Sequence, residues 1–245
     1  MTSPHNLLGA QGILDEAVAA NAVRPSTGSR LEHASDNLFG VTDLSVQGSL
    51  FSAPAESEPF DRSFRAMERV ELAEGAWVDR QPEWASEPDR LFVTALEALD
   101  WREGVERIGG MEIPRPRLVA SFGRGELPSG LGVIGEMSEA LSNKYEVQLD
   151  RITCNLYRDG RDSVAWHGDR IARNRPEAVV AIVSLGEPRP FRIRPKGGGS
   201  SIGWPAGRGD LIVMGGSCQR THDHGIPKIA KAGPRIAVMF RHPYD

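Results

Sequence analysis

His167 and Asp169 stand two residues apart in "NLYRDGRDSVAWHGDR" (155–170). On a strand, residues i and i+2 project from one face, so an imidazole and a carboxylate converge on one small volume. The pair suits a metal or acid–base chemistry, provided a third group arrives from elsewhere. "CQRTHDHGIPK" (218–228) offers two candidates, His222 and His224, which again share a face. Two histidines and one carboxylate hold a divalent iron on one side and leave its other positions open to O2 and a bidentate cosubstrate.

The last apolar run supplies a second constellation. "PRIAVMFR" (234–241) sets Arg235 and Arg241 six residues apart, so both point the same way on a regular strand. An inward guanidinium is costly without a partner, and a dicarboxylate meets that need by bidentate pairing. Asn155 and Tyr157 share a face of their own and offer donors to the same ligand.

These groups need elements to position them. "EPDRLFVTALEALDWRE" has apolar residues at Leu91, Phe92, Ala95, Leu96 and Leu99 behind Pro88, the pattern of an amphipathic helix with a defined start. "LGVIGEMSEALSNKY" (131–145) reads as a second helix, "RVELAEGAWVDR" as strand, turn, strand, and "PRPRLVASF" (114–122) as extended. From residue 151 the chain is strand after strand: "RITCNLY", "SVAWHGD", "AVVAIVSLG", "PFRIRPK", "GDLIVMGG" and "RIAVMFRH". Short Gly-, Pro- and Asp-rich breaks between them predict an antiparallel sandwich or barrel. "PKGGGSSIGWPAGRGD" reads as one long hairpin loop. It is no phosphate loop, since no "GK[ST]" follows. Residues 1–60 are rich in Ser, Gly, Pro and charge and read as a poorly organised segment, with a short helix at "GILDEAVAANAV"; residues 61–245 form the domain.

Composition bounds the function. Hydrophobic content of 40% and charged content of 25% are those of a soluble globular protein. No apolar run approaches a membrane span, and the start does not read as a signal peptide. Two cysteines, Cys154 and Cys218, cannot make a disulfide framework and suit a reducing compartment, so cytoplasm is expected. The net charge of −4 hides an asymmetry: residues 1–150 carry −12, whereas residues 151–245 carry +8. A basic C-terminal part can steer a polyanion.

"NLYRDG…WHGD" followed by "SLG", "GDLIVMGG", "HGIPK" and "PRIAVMFR" resembles the AlkB family of iron(II)/2-oxoglutarate dioxygenases, over about residues 114–241. The resemblance implies an α+β fold: a double-stranded β-helix (jelly-roll) core backed by N-terminal helices. It implies His167, Asp169 and His224 as iron(II) ligands, with His222 the competing histidine. It implies Asn155, Tyr157, Arg235 and Arg241 as contacts to 2-oxoglutarate, Arg241 gripping one carboxylate and Arg235 bracing the cosubstrate near the metal. O2 would be the second cosubstrate. "PRPRLVASFG" resembles the family's substrate lid, with Phe122 placed to stack on a base; separately, Arg170, in "DRIARNRP" directly after the metal strand, is placed to meet phosphate. The implied activity is oxidative dealkylation of N-alkylated bases in DNA or RNA by a monomer with no membrane association. Two departures bear on substrate. Ile171 stands where nucleic-acid-acting relatives carry an acid, and Ala237 stands where many carry Asn or Ser. Ile171 and the acidic N-terminal half favour the alternative substrates, a protein side chain or a small metabolite.

Overall fold

A computed structural model describes residues 58–108, 111–169 and 175–243. Arg170 and Ile171, two of the predicted substrate contacts, and the helix expected at 12–23 lie outside the described residues.

Thirteen strands are described. They are β1 (Glu68–Glu71), β2 (Ala76–Gln81), β3 (Val105–Ile108), β4 (Met111–Pro114), β5 (Leu118–Gly123), β6 (Arg151–Tyr157) and β7 (Val164–His167). The remainder are β8 (Val180–Gly186), β9 (Arg189–Pro195), β10 (Ile202–Ala206), β11 (Leu211–Gly216), β12 (His222–Ile226) and β13 (Arg235–Arg241). A seven-stranded sheet runs β1-β2-β11-β8-β13-β6-β5, and a four-stranded sheet runs β10-β9-β12-β7. Successive strands from β6 onward alternate between the two sheets, apart from β9 and β10, which form a hairpin within the smaller one. All the pairings are antiparallel. This is the double-stranded β-helix expected from the sequence.

Two apolar clusters follow from the strand alternation. Val183, Leu185, Ile236, Val238, Phe240, Ile152, Cys154 and Leu156 face the helices. Val180, Ile182, Ala237, Met239 and Tyr157 face the smaller sheet, where they meet Phe191 and Ile193 of β9. Helix α1 (Pro88–Ala98) begins with Pro at its first turn, where a missing N–H costs nothing. It buries Leu91, Phe92, Ala95 and Leu96 on the larger sheet. Helix α2 (Gly132–Tyr145) buries Ile134, Met137 and Leu141 on the same side, and Ser138 caps the Leu149 carbonyl at 2.7 Å. Phe60 is fully buried against Trp84, so the packed chain reaches back at least to that residue.

Two local readings need correction. The segment expected as one long loop contains β10, in register with β9 from Ile202–Ile193 to Ala206–Arg189. The β3–β4 hairpin was not anticipated; "GG" at 109–110 is its sequence signal. The lid-like segment "PRPRLVASFG" runs from the end of β4 through β5. Its β5 portion is the edge strand of the larger sheet, paired with β6 along its whole length.

Candidate metal centre

β12 lies antiparallel to β7 with His224 directly opposite His167. Asp169 follows two residues after His167, just beyond the strand end. One candidate ligand atom from each of His167, Asp169 and His224 lies within 4.8 Å of the other two. The imidazole centroids are 4.4 Å apart, and His167 Nε2 stands 3.6 Å from Asp169 Oδ1. His222 is also buried, but it pairs in register with Pro195 and its Nδ1 contacts Thr221 Oγ1 at 2.8 Å. Register therefore selects His224.

Each ligand is held by a partner. His167 Nδ1 lies 2.8 Å from the Ala165 carbonyl, which fixes that nitrogen as the N–H and leaves Nε2 as the lone-pair donor for a metal. The His224 ring stacks near Phe191 at 5.8 Å. Arg241 donates from Nε to Asp169 Oδ2 at 2.8 Å. Gln219, on the short helix α3 (Cys218–Thr221), accepts the Asp169 backbone N–H at 2.8 Å and donates to Met214 Sδ at 3.5 Å. Gly168 between the ligands has a steric reason: a Cβ there would lie 2.4 Å from the Gln219 carbonyl oxygen.

Electrostatics match a cation site. Burial pushes the Asp169 carboxyl upward, but Arg241, the His167 hydrogen bond and His224 together hold it well below the usual range. Burial, reinforced by His167, lowers His224 to about 3, so it is a neutral ligand. Burial lowers His167, yet the Asp169 contact outweighs it and the net shift is upward. That carboxylate thus attracts a cation, and a metal is the cation that would satisfy all three groups together.

Arg235, Ala237, Met239 and Arg241 alternate along the inner face of β13, beside Asn155 and Tyr157 of β6 and Ser184 of β8. Arg235 is fully buried. It donates to Ala206 O at 2.9 Å and Ser184 Oγ at 2.7 Å, and its guanidinium lies 5.1 Å from the Tyr157 ring centre. Its Nη1 has no hydrogen-bond partner. A buried guanidinium N–H left unpaired is expensive, and an incoming carboxylate would relieve it. The expected order of the two arginines is reversed. Arg241 is the one against the metal carboxylate, and Arg235 lies six residues earlier on the same face of β13.

Other predictions fare differently. Phe122 packs with the helix-side cluster opposite Ile152, away from the inner face, so it is not placed to stack at the metal. Trp166, next to His167 in β7, points to the opposite face of the strand. It is 38% exposed, with the Arg194 guanidinium 4.2 Å above its ring. Arg189 was missed. Fully buried, it donates to the carbonyls of Asp159 (2.9 Å), Asp162 (2.8 Å) and Pro227 (2.9 Å), pinning the β6–β7 turn to the end of β12. Gly160 in that turn has no room for a side chain, since a Cβ would meet Ile229 O at 2.3 Å. A cavity of about 800 Å³ lies outside this pinned turn, among Glu103, Val105, Arg115, Arg158, Asp162 and Lys228; none of the three ligands lines it.

A family model described as "2OG-Fe(II) oxygenase superfamily" matches residues 70–241. Mouse "Alpha-ketoglutarate-dependent dioxygenase alkB homolog 3" is 27% identical over 180 residues, covering 64% of this chain and 62% of its own. Arabidopsis thaliana "DNA oxidative demethylase ALKBH2" is 31% identical over 133 residues, covering 43% of this chain and 42% of its own. The chain therefore spans about three fifths of the length of the alkB homolog 3 relatives it matches. Among solved structures, a Trichoplax adhaerens prolyl hydroxylase in complex with a hypoxia inducible factor peptide fragment superposes with a TM-score of 0.52 at 12% identity, covering 69% of this chain and 84% of that one. That likeness is one of fold. With the matched stretch running from β1 to Arg241 and enclosing all three ligand residues, the chain belongs to the 2OG-Fe(II) oxygenase superfamily, whose cofactor and cosubstrate are iron(II) and 2-oxoglutarate.

Proposed function

We propose that the protein catalyses oxidative dealkylation of N-alkylated nucleobases, with DNA as the first substrate to test. The observation that carries this reading is the likeness to alkB homolog 3 and to the DNA oxidative demethylase ALKBH2, in a chain whose oxygenase-family match encloses the metal centre. The +8 balance of residues 151–245 agrees with a polyanionic substrate.

His167, Asp169 and His224 would hold iron(II), which with 2-oxoglutarate would supply the oxidising chemistry. The protein's part is geometric and electrostatic. Arg235 offers its unpaired Nη1 to the distal carboxylate of 2-oxoglutarate, with Ser184 and Tyr157 steadying the guanidinium. Asn155 presents its amide to the same chamber. Arg241 and Gln219 keep Asp169 ionised and aimed. Phe191, Ile193 and Met214 keep the inner wall apolar, which excludes water. Once the carbon attached to the base nitrogen carries a hydroxyl, the C–N bond breaks and the group leaves as an aldehyde, so no side-chain base is required.

The test is anaerobic reconstitution with iron(II), followed by measurement of succinate and formaldehyde with methylated and unmethylated single-stranded DNA. Formaldehyde appearing only with methylated DNA is the expected result. Succinate release indifferent to any nucleic acid would leave the oxygenase and remove the nucleobase.

A further inference from the structure

Met239 occupies an unusual place for a thioether. Its side chain is buried on the inner face of β13, between Ala237 and Arg241, opposite Thr153 and Ile182. Arg241 Nη2 lies 3.2 Å from its sulfur, and Asn155 Nδ2 lies 3.7 Å away. That same Nη2 is 3.4 Å from Asp169 Oδ1. One guanidinium nitrogen therefore separates the sulfur from a carboxylate of the metal centre. Two donors predicted to meet the cosubstrate rest instead on a weak acceptor. A thioether is also among the most readily oxidised side chains.

We propose that Met239 is a modification site: turnover without a nucleic-acid substrate oxidises its thioether to the sulfoxide and thereby slows further use of 2-oxoglutarate. The inference rests on the reading that the chain consumes 2-oxoglutarate and O2. The step balances. The C1–C2 bond of 2-oxoglutarate breaks and releases CO2, and one oxygen atom of O2 ends in succinate. The other forms the S–O bond. Keto acid and sulfur each give up two electrons, and O2 takes the four. The product changes the pocket, because a sulfoxide oxygen is a far better acceptor than a thioether sulfur. It holds Arg241 and Asn155 against an incoming cosubstrate, until reduction by a methionine sulfoxide reductase restores them.

The other described methionines serve as internal references. Met111 is 66% exposed, Met137 is buried among the helix-side residues, and Met67 takes the Tyr145 hydroxyl at 3.2 Å. Met214 is buried beside the metal centre but stands behind the Gln219 amide.

The experiment incubates the full chain with iron(II), 2-oxoglutarate and ¹⁸O-labelled O2 without nucleic acid. Succinate is followed, and the heavy-oxygen label at each methionine is read by peptide mass spectrometry. A parallel sample receives hydrogen peroxide alone. Under turnover, label at Met239 is expected severalfold ahead of Met111 and in step with succinate, whereas peroxide oxidises Met111 first. In M239L, the fraction of activity lost per succinate formed should fall. Succinate accumulating while Met239 stays level with Met111 or Met214 would overturn the proposal and leave the oxygenase reading standing. An absence of succinate would remove that reading, and the proposal with it.

Discussion

The residues around Asp169 divide into those that touch the metal and those that hold the ones that do. Gln219 belongs to the second group through a single hydrogen bond to the Asp169 backbone. Removing such a supporting partner typically lowers metal affinity by about 10- to 100-fold. Q219L should therefore bind iron(II) more weakly by that factor while its melting temperature changes little, which an anaerobic metal titration would read. Arg235 makes a different prediction. Its guanidinium also serves the Ala206 carbonyl and the Ser184 hydroxyl, which lose that donor when it is removed. R235M should therefore lower the melting temperature by a few degrees, at about 1–3 kcal/mol, and weaken 2-oxoglutarate binding by roughly 10- to 100-fold, the worth of a charged hydrogen bond. Equal binding by calorimetry would show that the cosubstrate is held elsewhere. The two thiols make the opposite case, of groups that should do nothing. Burial pushes Cys154 and Cys218 up to about 12, so disulfide-exchange labelling at pH 8 should run roughly a thousandfold slower in the native protein than in urea.

At the scale of elements, register is what turns sequence separation into proximity. His167 and His224 are 57 residues apart in number and directly opposite in space because β7 and β12 are neighbours in the smaller sheet. The spacing of His167 and Asp169 is readable from the chain, as is the shared face of Arg235 and Arg241, because both depend only on the two-residue period of a strand. Which arginine meets the metal is not readable, since that depends on how β13 lies relative to the end of β7. Phe122 illustrates the same limit. An aromatic in an extended segment has two faces to choose from, and only pairing with β6 decides that it joins the helix side. Arg189 gives no local signal at all, because its three acceptors are carbonyls from two distant turns. Gly168 is the element-scale prediction. Alanine there would press on the α3 backbone and shift Asp169, and G168A is expected to lower turnover by about 100-fold, the usual cost of a misplacement near 1 Å. Unchanged succinate release would mean that α3 yields without moving the ligand.

For the whole molecule, the metal centre lies where the two sheets meet, so its occupancy should be felt by the entire fold. A ligand present at a hundredfold over its Kd adds about 2.7 kcal/mol to the native state, which for a domain of this size is roughly 5–11 °C in melting temperature. Manganese(II) with 2-oxoglutarate should raise the melting temperature by about that amount, and a chelator should reverse it. The two helices and the run of antiparallel strands were legible, because long apolar periodicities and turn residues carry them, whereas the jelly-roll class came only with the family resemblance. The edges were not, as β10 and the β3–β4 hairpin show: β3 and β4 are only four residues each, and β10 carries Gly203 and Pro205 within a Gly-rich stretch, so both read as loop. The buried arginine beneath the β6–β7 turn has a kinetic consequence. Arg189 and Arg235 sit 5.7 and 5.1 Å from the Tyr157 ring, and the Arg189 hydrogen bonds tie the turn beside them in place. The wall that would meet the far end of the cosubstrate is thus set before any ligand arrives. Initial-rate studies should therefore find 2-oxoglutarate binding before the substrate, with succinate as the last molecule out.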